Sequence, residues 1–363
     1  MSVPVWDNVL ILQTSFLGDT VLTLPLLCEL RRRFPVRRLT LLCLPAAGEL
    51  LRGHPAIDEL LIYDKRGLDR GWRGLWRVVR RLKARRFTIA LTPHKSLRSA
   101  AVLALAGIPF RVGFRESRGW FLFHRRPRRN GALHDVERNL SVLQPFGPLP
   151  PDCERKISLP VSAAALGRVR EKLAGLGLRD GTPVIGLSPG SVWPTKRWSV
   201  GGFAALARSL SERHGFQVLL FGGIDDAAVV EAVQRGAGTA TINLVGRIGL
   251  GDLAAAISQC DVFVTNDSGP MHIAVAREVP TVAIFCATTP ELGFYPYSGD
   301  AIVVQRQLAC RPCASHGGRR CPLGTAACSE EINPETVLEA VERQLRRGRK
   351  HKAAAYAPEL LTV

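Results

Sequence analysis

The residues with the clearest chemistry sit in one polar break. Asn266-Asp267-Ser268-Gly269 separates an apolar run at 262–265 from a helical pattern that begins near Pro270. These four residue types favour turns or helix N-caps, and proline is tolerated in a first helical turn. A strand, a turn and a helix start in this order make an anion site. Free backbone N–H groups point out of the helix, with the positive end of its dipole behind them. Ser268 and Gly269 can bring their N–H groups against a phosphate, and His272 lies one turn into the helix. The competing reading is that Asp267 or Ser268 does no more than cap the helix.

Three other loops carry candidate ligand chemistry. Residues 13–20 follow the apolar run 9–12 and precede a helical pattern over 21–34, which puts the carboxylate of Asp19 at the mouth of a first helix. That carboxylate either complements the helix dipole or serves as a general base aimed into a cleft. The loop at 188–198 is rich in small residues and then basic. In it Ser191 can hydrogen-bond a phosphate oxygen, and Lys196 is either an ordinary exposed lysine or a mobile point charge for a diphosphate. Gly222-Gly223-Ile224-Asp225-Asp226 follows a strand pattern at 218–221. An acid there holds ribose hydroxyls or caps the next helix. The dinucleotide fingerprint G-x-G-x-x-G is absent, as is the G-K-S/T of a Walker loop.

The elements that must position these loops are short apolar runs at 9–12, 39–44, 57–63, 87–91, 184–187, 218–221, 262–265 and 281–285, with helical patterns between them. This alternation predicts an α/β protein with doubly wound parallel sheets. Loops after the strand C-termini of such a sheet share one edge, so the candidate ligand groups converge there. A chain of 363 residues exceeds what one core supports. We expect a first domain at 1–178, a second at 179–345 and a basic tail at 346–363. In the first half, Trp72, Leu75, Trp76, Val79 and Leu82 share one helical stripe among arginines. The stripe either packs on the sheet or sits at a bilayer interface. Residues 111–129, with Trp120, Phe121 and Phe123 among arginines, read as a mobile loop over the cleft.

Composition narrows the class. The chain is 46% apolar and 22% charged, as soluble globular proteins are. It has no run of about 18 apolar residues that would read as a membrane span. The start lacks a basic n-region and carries Asp7, which predicts no signal peptide. Nine cysteines, an odd number, point to a reducing cytosol. Of the net charge of +18, most lies in residues 1–150, with 26 Lys and Arg against 11 Asp and Glu; the remainder holds 23 against 20. Such a basic half suits nucleic acid, an anionic membrane face or a phosphorylated acceptor. No nucleic-acid recognition module is present. Cys310, Cys313, Cys321 and Cys328 lie within 19 residues. They are read as a structural zinc site or as thiols packing a loop.

The stretches TSFLGDTVLTLPLL, PGSVWPTKRW and TNDSGPMHIA, in this order and spacing, resemble glycosyltransferase family 9, the heptosyltransferases. The resemblance implies a GT-B architecture of two Rossmann-like, doubly wound domains facing a central cleft. The first would take the acceptor, through a loop containing Thr14, Ser15 and Gly18, and the second the nucleotide-sugar. It implies that Asp19 is the general base. Donor contacts would come from Ser191, Val192, Lys196, Asp267, Ser268, Gly269 and His272, with Ile248 lining the base pocket. Asp226 falls near a ribose-binding glutamate of the family, one carbon shorter, and Asp225 competes for that place. The implied reaction is inverting and metal-independent, with no cofactor. It moves heptose from ADP-heptose to a phosphorylated glycolipid acceptor (lipid A–Kdo–heptose), on the cytoplasmic face of the anionic inner membrane. A different nucleotide-sugar or acceptor, or a non-catalytic binding protein, are the alternatives.

Overall fold

The computed structural model describes residues 5–348 and 356–363. The chain divides into two compact units with the break between Ser158 and Leu159. In the first, the elements run β1 (Asn8–Gln13), α1 (Leu17–Val21), α2 (Leu24–Arg33), β2 (Arg38–Cys43), α3 (Pro45–Leu50), β3 (Glu59–Ile62), α4 (Gly71–Ala84), β4 (Ile89–Thr92), α5 (Leu97–Leu105), β5 (Phe110–Gly113) and α6 (Asp135–Leu140). Among the described residues they build a five-stranded sheet in the order β3-β2-β1-β4-β5. Every pairing is parallel, with Ile11 opposite Leu41 on one side and Leu91 on the other. The continuous apolar run at 9–12 suits a strand covered on both faces, and all four residues are fully buried.

The second unit runs α7 (Ala163–Gly175), β6 (Val184–Ser188), α8 (Val200–Glu212), β7 (Gln217–Leu220), α9 (Ala227–Ala237), β8 (Ile242–Asn243), α10 (Leu250–Ile257), β9 (Val262–Asn266), α11 (Gly269–Ala276), β10 (Thr281–Phe285), β11 (Ile302–Gln305), α12 (Ala327–Glu330), α13 (Pro334–Arg347) and β12 (Glu359–Thr362). Its seven-stranded parallel sheet has the order β12-β11-β10-β9-β6-β7-β8. The centre is tight. A Cβ on Gly186 of β6 would lie 2.6 Å from the Phe263 ring and 2.7 Å from the Cys260 sulfur. Phe263 meets Phe221 edge-on at 5.2 Å.

Four expectations change. The helix at 163–175 belongs to the second unit rather than to a first domain ending at 178. Its apolar residues Ala165, Val169 and Leu173 are buried, and Arg168 pairs with Asp252 of α10 at 2.7 Å. The described residues of 346–363 are not a tail apart from the second domain. Arg346 and Arg347 end α13, and β12 extends the sheet beside β11, with Glu359 held by Arg343 and by Arg347 at 2.5 Å. The basic residues of that expected tail beyond Arg347 fall at 349–355, outside the described residues. The first helical pattern splits into α1 and α2 at Leu22-Thr23, and Pro25 opens the second helix. Residues 111–129 are anchored rather than mobile. They continue β5, Val112 bridges Arg125, and Phe123 is buried against Gly113, where a Cβ would strike its ring.

Candidate active site

Each sheet reverses its strand order once, and the candidate residues of each unit lie on loops beside its own switch point. In the second sheet β6 runs outward to β7 and β8, and the chain then returns to lay β9 on the other side of β6. Ligands of open parallel sheets bind at such a switch point, outside the strand C-termini. The loops after β6 and β9 flank it. They carry Ser191 and Lys196 on one side and Asp267, Ser268 and Gly269 on the other.

The loops are tied together. Asn266, buried at the end of β9, accepts the Trp198 N–H at 2.9 Å and donates its amide to the Pro189 carbonyl at 2.8 Å. Lys196 Nζ lies 2.5 Å from Asp267 Oδ2, with both side chains largely buried. The same carboxylate oxygen accepts the Thr288 hydroxyl at 2.7 Å. Asp267 is therefore engaged in holding Lys196, and two of the three ammonium protons remain for an anion. Next to the pair, Ser268 stands in extended backbone as the N-cap of α11, and no side chain caps the helix start. His272 is 4% exposed, and its Nδ1 has no hydrogen-bond partner. Burial, aided by the Lys196 charge, pushes its pKa down to about 3, so the ring is neutral.

Around this centre the other candidates separate by exposure. Ser191 is buried, and its carbonyl accepts Arg197 Nε at 2.9 Å. Val192 projects into solvent at 69% exposure. Asp226 turns inward: Arg197 lies 3.6 Å away, the Gly223 N–H donates to it at 3.2 Å, and a Cβ on Gly190 would strike its carboxylate. Asp225 is exposed. Ile248 is half-buried beyond the end of β8, its N–H bonded to the Leu244 carbonyl at 3.2 Å.

Sequence reasoning missed two supports. Arg311 donates to the Phe285 carbonyl at 2.9 Å and the Thr288 carbonyl at 2.6 Å, fixing the loop that delivers the Thr288 hydroxyl. Gly317 and Gly318, between the cysteines, close over Lys196. Gly318 exchanges hydrogen bonds with Thr195, and a Cβ on Gly317 would lie 2.8 Å from Lys196 Cγ. The position of the cysteines in the sequence marked this segment, but its contact with the lysine is long-range. Cys310, Cys313, Cys321 and Cys328 are free thiols, and among the described residues no group of three or more His, Cys, Asp or Glu is arranged to hold a metal ion.

Trp198 anchors the whole loop. Its indole N–H reaches the Ile332 carbonyl at 3.2 Å, and its ring is buried against Gly202 and Phe203. Trp198→Ala is expected to cost about 3–5 kcal/mol in urea unfolding. Trp198→Phe, which keeps most of the volume, is expected to lose less than half of that.

In the first sheet the switch point lies between β1 and β4. A chain of polar contacts spans it. Thr14 Oγ1 is 3.3 Å from His94 Nδ1, which is 2.8 Å from Ser99 Oγ, and Lys65 Nζ donates to the Thr14 carbonyl at 2.5 Å. Burial lowers the pKa values of Lys65 and Lys95, as do the neighbouring guanidinium groups. Lys65, His94 and Lys95 were also missed as site residues, although each follows a strand C-terminus. Asp19, half-buried on α1, accepts the Phe16 N–H at 3.1 Å, and Thr23 Oγ1 donates to its carbonyl at 2.8 Å. The carboxylate thus completes the helix start. Gly18 is buried beneath it and Ser15 is half-buried.

Two buried imidazoles give the fold a pH signature. His94 is held down to about 4 by burial and by Lys65, and His272 to about 3. An unfolded chain protonates both below about pH 6.5. The unfolded state therefore binds more protons in this range, and stability falls as pH drops below 6.5. Between pH 7 and pH 5 the two together are expected to remove about 4 kcal/mol. His272→Gln should flatten about half of that slope in urea titrations across this range.

A family profile described as glycosyltransferase family 9 (heptosyltransferase) matches residues 75–323. The chain belongs to glycosyltransferase family 9. The matched segment begins after Asp19. This family 9 protein is 27% identical to lipooligosaccharide heptosyltransferase 2 of Haemophilus influenzae over 359 residues, covering 93% of its own length and 99% of the relative's. Against lipooligosaccharide heptosyltransferase 2 of Campylobacter jejuni subsp. jejuni serotype O:6, identity is 33% over 171 residues, about half of each chain at 46% and 52%. Among solved structures, a glycosyl transferase family 9 protein of Veillonella parvula superposes with TM-score 0.85 at 26% identity, covering 96% of this chain and 99% of that one. E. coli ADP-heptose lps heptosyltransferase II superposes at 0.77 with 25% identity, covering 94% and 99%. The two parallel-sheet units are those of the GT-B fold.

Proposed function

We propose that this family 9 protein transfers heptose from ADP-heptose (ADP-L-glycero-β-D-manno-heptose) to the inner core of lipopolysaccharide, on a heptosyl-Kdo2-lipid A acceptor, with inversion and without a metal. The observation that carries the reading is the Lys196–Asp267 pair beside the uncapped start of α11, at the switch point of the second sheet. That place combines a fixed cation with free N–H donors, which is what a leaving diphosphate needs. The names of the relatives speak of heptose, ADP-heptose and lipopolysaccharide, and the heptosyl-Kdo2-lipid A acceptor is part of the proposal.

In this reading the acceptor hydroxyl oxygen attacks the anomeric carbon from the face opposite the ADP. Asp19 takes the hydroxyl proton as the new C–O bond forms. The bond from the anomeric carbon to the β-phosphate oxygen breaks, and its electron pair leaves on ADP. Lys196 and the Ser268 and Gly269 N–H groups stabilise the charge that develops there. Asp267 serves as the orienting partner of Lys196. Asp226, turned inward where Asp225 is exposed, is the acid assigned to the donor ribose, and Ile248 lines the base pocket. Lys65 and Lys95 supply charge for the acceptor's phosphate and carboxylate groups. The work is cytoplasmic, at the inner face of the inner membrane.

Purified protein supplied with heptosyl-Kdo2-lipid A and a panel of ADP-, UDP- and GDP-sugars tests this. Acceptor-dependent nucleotide release with ADP-heptose alone is expected. Release with a UDP- or GDP-sugar instead would assign the protein a different donor.

A further inference from the structure

Of the expected stripe, Val79 and Leu82 pack into the core and Leu75 lies half-buried against it, but the two tryptophans do not. In α4 the buried side is formed by Gly74, Val78, Val79 and Leu82, while Trp72 is 69% and Trp76 43% exposed. The rotation has a local cause. A Cβ at Gly74 would strike the backbone of Asp69, so the helix start can approach the 69 turn only on its glycine side. Trp72 and Trp76, one turn apart, are left facing outward.

They are not alone. Leu68 in the preceding loop, Leu97 at the start of α5, and Trp120 and Phe121 beyond β5 are also exposed, at 83%, 47%, 47% and 57%. These segments adjoin. Arg98 on α5 reaches the Asp69 and Gly71 carbonyls at 3.4 and 3.5 Å. Gly119 presses against Ala100 and Leu97, with room for no more than a hydrogen at its α-carbon. All three follow strand C-termini, so the patch lies on the sheet edge that also carries Asp19.

The patch is rimmed by positive charge. Arg66, Arg70, Arg73 and Arg118 are exposed around it, and Arg126 covers the Trp120 ring at 4.9 Å. The nearby acids are committed. Asp69 is buried and paired with Arg77 at 3.1 Å, Asp64 accepts N–H groups of its own turn, and Glu116 accepts the Arg129 N–H and lies beside Arg115. Exposed tryptophans ringed by arginines match the headgroup boundary of an anionic bilayer, where indole rings settle and each nearby arginine gains. Contiguous apolar surface of this kind marks an interaction site. Among the described residues no helix is long and apolar enough to cross a membrane, so the contact is a surface one.

We propose that this patch, formed by Leu68, Trp72, Trp76, Leu97, Trp120 and Phe121 with its arginine rim, docks the first unit on an anionic lipid surface. Its purpose rests on the lipid-anchored acceptor proposed above: docking there turns the Asp19 edge toward membrane-borne substrate.

The test is co-sedimentation of the full chain with acceptor-free vesicles of phosphatidylglycerol and phosphatidylcholine, with phosphatidylcholine vesicles alone as comparison. Binding to the anionic vesicles is expected, with a blue shift of tryptophan emission. Trp72→Ala with Trp76→Ala should lower the partition coefficient by about tenfold or more, and Arg73→Glu by about fivefold or more. All three positions are exposed, so thermal unfolding should stay unchanged. Transfer to a deacylated, water-soluble acceptor should also stay unchanged, which separates this proposal from the heptosyltransferase reading. Equal binding to both vesicle types, unaltered binding by the double variant, or a dimer that the double variant dissociates would overturn it.

Discussion

Asp19→Asn is expected to fold as the parent does and to lose about 10²- to 10⁴-fold in kcat/KM for heptose transfer. The structural half of this follows from the helix start. Asp19 accepts the Phe16 N–H at 3.1 Å, and an amide oxygen at the same place accepts it equally well. What is lost is the negative charge near the helix dipole, which costs about 0.3–1 kcal/mol, and the ability to take a proton. A carboxylate that only completed the helix would leave turnover unchanged in the asparagine variant. Measuring kcat/KM beside the thermal midpoint separates the two roles. A large loss of rate with a midpoint within a few degrees is the expected pair of results.

If Lys196 holds the leaving diphosphate as proposed, Lys196→Ala reduces kcat/KM by about 10²- to 10³-fold and weakens donor binding, because the fixed cation is lost. This variant carries a second consequence. Asp267 is buried, and its remaining partner on the shared oxygen is the Thr288 hydroxyl. Removing one member of a buried pair typically costs about 3–5 kcal/mol. Lys196→Ala should therefore be less stable as well as less active. Lys196→Gln keeps a donor for Asp267 but not the charge, so it should recover much of the stability and little of the rate. Equal recovery of both would mean that the lysine acts only through the fold. Asp267→Asn provides the complement: it frees the ammonium from its partner and is expected to raise the donor KM, by calorimetry or steady-state kinetics, although position 267 need not touch the donor.

The parallel sheets and the ligand loops were legible because buried strands and polar turns contrast sharply along the chain. The run at 9–12 and the break at Asn266–Gly269 are local signals, and the structure forms β1, β9 and α11 where they lie. What was hidden depends on partners distant in sequence. Nothing near Lys196 reveals that Asp267 holds it, or that Gly317 covers its stem. The helix at 163–175 falls inside the expected first domain, and only its contact with α10 places it in the second unit. The Trp72 and Trp76 stripe has the spacing of a buried face, and only the collision that Gly74 avoids at Asp69 explains why it faces outward. The last strand, β12, is four residues long and follows a basic stretch, and its pairing with β11 is likewise invisible to local pattern.

The central claim is tested most directly by the mass of the acceptor. Heptosyl-Kdo2-lipid A incubated with ADP-heptose and the native protein should gain one heptosyl residue, while Asp19→Asn and Lys196→Ala, assayed alike, leave nearly all of it unmodified. An acceptor that stays unmodified with the native protein, or one that is modified as fully by both variants, would contradict the account.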